Sequence, residues 1–518
     1  MPRMDKLELQ SIVSSNINSA TGFLDSEVTQ GREKALEYYR GDPFGDEREG
    51  HSQVVEKVVM DTVEWILPNL IRTFLGTRRV AEFTPHGPED IDLSIQQTDY
   101  VNHIIREQNP GFMILYTWLK DGLIQKTGIV KHFWSKTTKT DTVEYEGLTE
   151  DELAFVIQEE EKRAEKVTVL EQSQEGRRGG FLPDPFTGQA VPFTQDTFSV
   201  KLRRIYKDKR VHIECIPPEE FLIERRAKSI HEADFTAHRT ERMVSDLIAE
   251  GFDRNLVESL PSSGHDDMTG EKETRYEDED DLTPIDTDST RKVDITECYI
   301  RVDFDGDGIA ELRQVIVGGQ STILSNEEID EIPFSAWTPI PMPHRSEVAG
   351  MSAADAIMDL QRIKSTLLRQ MLDNLYLTNN PQMEVVWDQV EQKDALTNRP
   401  GGIKRVNQPG MYNPLNVPFV AGQSFPMLEY LEQKQAGRTG VSPTSTGLDP
   451  DILKSHQTAG AIDQVMTTAQ QKIDLIARVF AETGLKNLMK QVLKLTTKHQ
   501  DKEAVIRLKG KWVPVDPR

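Results

Sequence analysis

Residues 351–378, MSAADAIMDLQRIKSTLLRQMLDNLYLT, constrain this chain more than any other stretch, because no glycine or proline interrupts it between Gly350 and Pro381. Ser352 stands three residues before Asp355, the spacing of an N-terminal cap, so the run predicts a single helix starting at residue 351. Ile357, Leu360, Leu367, Met371 and Leu375, joined by Leu368 and Leu372, follow the i, i+3, i+4 rule, while Asp359, Arg362, Ser365, Arg369 and Asp373 fill other faces. At 1.5 Å per residue such a helix is roughly 40 Å long, more than a small domain needs. It reads as a strut between two distant layers, with a long core helix of a large α-rich domain as the alternative. One observable separates them: a core helix buries all seven of these apolar side chains within its own chain.

The 518 residues suffice for two to four structural regions with a large core, and 37% hydrophobic with 28% charged residues is an ordinary soluble, globular composition. A 7% aromatic share argues against a stacking platform for single-stranded nucleic acid. The first residues carry no apolar signal core, and the runs around Trp65-Ile66-Leu67 and Phe112-Met113-Ile114-Leu115 are too short to span a bilayer. Two cysteines, Cys215 and Cys298, make neither a disulfide framework nor a zinc cluster, which suits a reducing, cytosolic compartment. The net charge of −24 disfavours a tight grip on DNA phosphates. It still permits DNA to slide past, because screening over about 8 to 10 Å confines the repulsion to close approach.

In chain order, residues 5–40 read as two helices broken near Thr21-Gly22, and a third helix starts at Ser52, is kinked by Pro68 and stops at Gly76. Helices follow at 90–107 and 111–125, a strand at 128–134, and a helix at 149–166 with Thr149 and Glu152 in capping-box spacing. Residues 171–197 read as a long excursion or hairpin tip between that helix and strands at 198–206 and 211–216. Along those strands alternate Lys201, Arg203, Arg204, Lys207, Lys209 and Arg210, a solvated strand face first and a nucleic-acid contact second. A short helix at 240–251 precedes the acidic, apolar-poor stretch 258–292, which reads as a mobile surface loop. After a hairpin around DFDGDG and the helix at 351–378 come a strand at 382–387, a short helix at 425–435, a Gly- and Pro-containing loop, and a long amphipathic helix from about Ala459 to Thr483 that resumes to about His499.

Chemistry-bearing motifs are few. No GxxxxGK[ST] occurs, Gly350-Met351-Ser352-Ala353-Ala354 lacks the last glycine of a nucleophile elbow, and His231-Glu232 with His238 has the wrong spacing for a zinc helix. The exception is the run from Asp303 to Glu311. Asp303, Asp305 and Asp307 alternate ahead of a tight turn, with Glu311 beyond, as in an oxygen cage for Ca²⁺ or Mg²⁺. Position twelve is Gln314, which supplies no bidentate carboxylate, so an acidic hairpin turn of good turn formers is the leading reading and a weak divalent-cation site the second. A divalent-cation-dependent phosphoesterase-type enzyme built on those aspartates lacks a His or Lys in catalytic arrangement. A helical intracellular scaffold is the third possibility.

Four segments, HSQVVEKVVMDTVEWILPNLIRTFLG (51–76), PPEEFLIERRAKSIHEADFTAHRTERMVSDLIAEGF (217–252), ECYIRVDFDGDGIAELRQV (297–315) and PHRSEVAGMSAADAIMDLQRIKSTLLRQMLDNLYLTNNP (343–381), in this order and spacing resemble the portal, or head-to-tail connector, family of short-tailed bacteriophages. The resemblance covers most of residues 30–500 and implies a non-enzymatic protein of α+β, mainly α, fold that assembles as a twelve-subunit ring around a DNA channel. It implies a wing from 1–238 and 379–431, stem helices at 239–252 and 351–378, a clip at 253–350, a tunnel loop at 432–458 and crown helices with a terminal strand at 459–518. Lys434, Arg438, Lys454 and His456 are then expected at the DNA, and Asp359, Arg362 and Arg369 in intersubunit pairs or the channel wall. The implied partners are further copies of the chain, the terminase packaging motor, tail adaptors, scaffolding and major capsid proteins, and double-stranded DNA held without sequence specificity, with no required cofactor and no membrane. The implied place is the portal vertex of a virion assembled in the host cytoplasm. Family members commonly continue past a strand like GKWVPVDPR, so a C-terminal helical barrel is not assigned.

Overall fold

The computed structural model describes residues 4–77, 79–85, 87–164, 166–183, 190–263, 275, 290–319, 321–397, 402–441, 471–500, 504–508 and 511–515. Its helices are α1 (Lys6–Leu24), α2 (Gln30–Arg40), α3 (Val58–Leu75), α4 (Ile91–His103), α5 (Gly111–Gln125), α6 (Glu150–Arg163), α7 (Val244–Glu250), α8 (Arg254–Glu258), α9 (Met358–Asn379), α10 (Gln392–Leu396), α11 (Phe425–Thr439) and α12 (Lys486–His499). Its strands are β1 (Gly128–Leu148), β2 (Lys166–Pro183), β3 (Ala190–Ile216), β4 (Phe221–Ile223), β5 (Phe235–Met243), β6 (Lys292–Val302), β7 (Glu311–Gly318), β8 (Thr322–Glu328) and β9 (Phe334–Trp337), followed by two two-stranded antiparallel sheets, one of β10 (Met383–Val385) and β11 (Tyr412–Pro414), the other of β12 (Ala504–Leu508) and β13 (Lys511–Val515). Helix outweighs strand, in keeping with the α+β, mainly α expectation. The chain divides into two compact units.

The first unit holds Met1–Thr98, Pro110–Lys131 and Glu214–Lys490. Its centre is an antiparallel sheet in the order β4-β5-β6-β7-β8. Leu9, Val13, Phe23 and Leu24 of α1 join Phe221, Phe235, Ile300, Val315 and Phe334 in one buried cluster, each large side chain adding about 1.5–3 kcal/mol of burial. A second centre is aromatic. Phe480 meets Trp118, Trp337 and Phe74 edge-to-face at 4.8, 5.1 and 5.0 Å, and the Trp337 indole N–H donates to the Trp118 carbonyl at 3.0 Å. Glycine is required around it: a Cβ on Gly122, Gly128 or Gly484 would come within 2.5, 2.1 or 2.8 Å of Trp337, Trp118 and Trp118 atoms. The first residues of β1 complete this region by pairing with β9, Gly128 against Trp337.

The second unit holds Asp99–Asn109, His132–Ile213 and Gln491–Arg518. A long antiparallel β2–β3 hairpin lies beside β1, and Leu153 of α6 packs on Val200 and Leu202 of β3. The capping box of Thr149 and Glu152 forms as its spacing predicts. On the basic strand face, Arg204 is taken up by Glu160 at 3.0 Å and Asp141 at 2.5 Å, while Lys201 reaches Glu144 only at 3.8 Å.

Several elements differ from their sequence-based bounds. Helix continues through Thr21-Gly22, and the irregularity falls at Asp25–Thr29 as one π-helical segment, because one glycine in a helix costs only about 1 kcal/mol. The strand expected at 128–134 runs on to Leu148, and the two strands expected at 198–206 and 211–216 are one, β3, whose residues 190–205 pair with β2. Residues 239–243, expected as helix, finish β5 because Arg239 to Met243 pair with Thr296 to Lys292, leaving only Val244–Glu250 helical. The helix expected from Ser52 starts at Val58, and that from residue 351 starts at Met358. Each late start has its own tertiary cause, described next.

Candidate functional site

The expected cap at the long helix forms, but it closes a turn instead of starting the helix. Asp355 Oδ2 accepts from the Ser352 N–H and hydroxyl at 2.8 and 2.9 Å, and Ser352 Oγ accepts from the Asp355 N–H at 2.9 Å. Lys126 sits 3.4 Å from the other Asp355 oxygen. Met351 is bridged to Ile340, and Ile357, at φ −134° and ψ −5°, breaks the helical path before Met358. Ala353, Ala354 and Ile357 are buried in this turn, so packing outweighs local propensity.

From Met358 onward, α9 buries a polar face. Gln361, Lys364, Ser365 and Arg369 are enclosed, whereas Leu367, Leu368, Met371 and Leu372 are partly exposed and Leu375 is exposed; of the seven apolar positions only Ile357 and Leu360 are buried. Gln361, Ser365, Arg369 and Asp373 recur every four residues, which stacks them on one side of the helix. Each meets the extended segment before α3 or the first turn of that helix. The Val59 N–H donates to Gln361 Oε1 at 2.9 Å, the Glu56 N–H to Ser365 Oγ at 3.0 Å, Arg369 Nε to the Val54 carbonyl at 2.8 Å, and the Ser52 N–H to Asp373 Oδ1 at 2.7 Å. Gln361 Nε2 also donates to the Tyr38 carbonyl at 2.8 Å. Backbone groups that a helix from Ser52 would have used internally are satisfied by a polar ladder, the reason α3 starts at Val58.

Electrostatics concentrate at Arg369. Its guanidinium pairs with Glu47 at 2.6 Å and Asp46 at 3.0 Å while lying over the Phe44 ring, and Arg362 reaches Asp46 at 3.5 Å. Burial pushes the Glu47 carboxyl up, but the Phe44 N–H, its own backbone N–H and Arg369 outweigh it and hold the pKa at about 2. Arg369 is thus engaged inside the chain. Asp359, expected with it at the stem, is paired at 2.5 Å with Arg438, expected at the tunnel loop; Arg438 also donates to the Ala356 carbonyl at 2.9 Å. Lys434 lies 5.3 Å over the Tyr430 ring, and both cations stand on α11, which extends through Thr439 beyond its expected end. Lys454 and His456 lie outside the described residues. Asn374 anchors the chain ahead of α11, accepting from the Val420 and Ala421 N–H groups at 3.0 and 3.2 Å and donating to the Pro418 carbonyl at 3.1 Å.

At the acidic hairpin, Asp303 accepts from the Gly306 and Gly308 N–H groups at 2.7 and 2.9 Å, Asp305 from Asp307 at 3.0 Å and Asp307 from Ile309 at 2.7 Å. Gly306 and Gly308 take φ of 84° and 93°, where glycine carries no Cβ penalty. Asp303, Asp305 and Glu311 bring oxygens within 4.8 Å of one another, the kind of donor set Ca²⁺ or Mg²⁺ takes; Asp307 is not part of that group. Glu311 is also paired with Arg313 at 3.2 Å.

The sequence pattern places Ser365, Arg369 and Asp373 on other faces, marks neither Gln361 nor Asn374, and reads the segment from Ser52 as helix. The signal was present as polar residues at strict i+4 spacing over three intervals. A further buried charge group, Asp121 with Glu219 and Arg275, carried no such signal: Arg275 pairs with Glu219 at 2.6 Å, and burial pushes the Asp121 carboxyl up to about 7. No helix among the described residues is long and apolar enough to cross a membrane. Compared with known families, residues 9–518 match the one described as phage SU10 portal protein.

Proposed function

The chain belongs to the phage portal protein family, and on that premise we propose that twelve copies form a ring at one capsid vertex, through which DNA is packaged and later ejected. The family is a structural one, it is a virion component, and it implies an oligomeric ring with capsid and terminase interactions in general. The finer reading is that the ring docks the terminase motor during packaging and tail adaptors afterwards, with scaffolding and major capsid proteins around it during assembly in the host cytoplasm. In this reading 239–252 and 351–378 serve as stem, 253–350 as clip and 432–458 as tunnel loop, with Lys434, Arg438, Lys454 and His456 making brief phosphate contacts. The carrying observation is the family match over nearly the whole chain. The inverted α9 supports it, because Leu367, Leu368, Met371 and Leu372, partly exposed, and Leu375, exposed, leave an apolar face for a neighbouring copy. Negative-stain imaging of the purified protein tests the proposal: rings with a central hole and twelvefold averages are expected, and compact monomers at micromolar concentration would sink it.

A further inference from the structure

Between α9 and α11, residues 380–424 form an arm of the first unit with almost no core of its own. Among its described residues Val390 and Ala421 are the buried ones, while Val386, Trp387, Leu396, Ile403, Leu415 and Phe419 are exposed, Leu396 and Ile403 at 79 and 84%. What shapes the arm is local and polar: β10 pairs with β11 over three residues, Val390 is bridged to Val406, and Arg405 Nε donates to Asp394 at 2.8 Å. A two-stranded pairing that short has little stability alone in water. Single exposed apolar side chains are ordinary on a protein surface, but a series of them with no core beneath marks an interaction site. We infer that the arm is a subunit contact, which buries these side chains against a neighbouring copy of the same chain.

The charge of the arm selects that partner. Residues 380–424 hold four Asp and Glu against four Lys and Arg, so the arm is neutral and the rest of the chain carries the whole net charge of −24. Two copies so acidic repel each other over most of their surface and approach best where the excess is absent. A strongly acidic or basic partner would be met by an excess of the opposite sign, which the arm does not offer. Permanent interfaces between identical subunits are instead more apolar than ordinary protein surface, as this arm is. A ring also needs two unlike surfaces on each subunit, because a head-to-tail contact joins different patches. The apolar face of α9 is one of them in the portal reading, and the arm supplies the second. The ring itself rests on that reading; the arm's part in it is the new step.

The test changes the two most exposed positions of the arm, Leu396→Asp with Ile403→Asp, in the full chain and leaves Val390 and Ala421 untouched. Light scattering and negative-stain imaging of the unaltered protein should give rings, while the variant should need at least about tenfold more protein to assemble, with an unchanged circular dichroism spectrum. Trp387 supplies a second readout. Acrylamide quenching of its emission, taken as the difference between the unaltered chain and Trp387→Phe, should be several-fold weaker in rings than in monomers obtained by dilution. Should the Asp variant fail to fold, Leu396→Ser with Ile403→Ser takes its place. Rings that form as readily in a folded variant overturn the inference alone and leave the portal reading standing, as does a Trp387 equally quenched in rings and monomers; either result would assign the arm to a different protein. Monomers in the unaltered protein overturn the portal reading and this inference with it.

Discussion

Arg369 shows how one side chain fixes a boundary that local rules misplace. It is nine-tenths enclosed, faces two carboxylates and holds the Val54 carbonyl. Replacing it with Met leaves Glu47 in a half-closed site without its cation, and we expect a loss of about 3–5 kcal/mol in urea unfolding. The pH dependence follows from Glu47. Its carboxyl is held at about 2 in the folded state against 4.5 when free, so the unfolded chain binds more protons between those values. Its contribution is therefore fully present above pH 4.5 and lost as pH falls toward 2. Arg369→Met should show a smaller loss over that window than the unaltered chain; equal losses would mean that the pair contributes nothing.

Among the elements, α9 was legible as a long helix and illegible in its orientation. Its apolar periodicity is real, but the enclosed side is the polar one, because the segment 52–59 brings backbone N–H and C=O groups that need partners. Hydrophobic pattern alone ranks faces by transfer energy and has no means of seeing those groups. The π-helical segment Ala481–Leu485 is a second case. Gly484 reads as a helix break, whereas the chain stays helical there because only hydrogen fits against Trp118, 2.8 Å from where a Cβ would stand. Gly484→Val should force Trp118 or the helix to shift and lower stability by about 1–3 kcal/mol, read as a fall in thermal midpoint. An unchanged midpoint would show that the aromatic centre relaxes freely.

For the whole molecule, the net charge of −24 is an average over unlike parts. The second unit holds 21 Lys and Arg against 20 Asp and Glu, so essentially all of the excess falls on the first. An acidic first unit resists self-association, so the proposed ring has to draw on apolar surface such as that left by α9. Leu375→Glu with Tyr376→Glu, two exposed positions whose change leaves the buried core untouched, should shift the protein from rings to monomers in light scattering while circular dichroism stays the same. Persistent rings in this variant would move the subunit interface elsewhere.

What the sequence determined by itself were the features that depend on near neighbours: the capping box at Thr149, the hairpin turn at Asp303, most helices and strands within a few residues, and the order of segments that carries the family resemblance. Those are set by φ/ψ preference, turn chemistry and hydrogen bonds within a few residues. Tertiary structure decided where α3 and α9 begin, which face of α9 is enclosed, and that Asp359 and Arg438 belong to one ion pair. For α3 and the enclosed face of α9 the deciding partners lie more than 300 residues apart in sequence, and satisfying a buried backbone group costs less than leaving it unpaired; Asp359 and Arg438 meet across 79 residues.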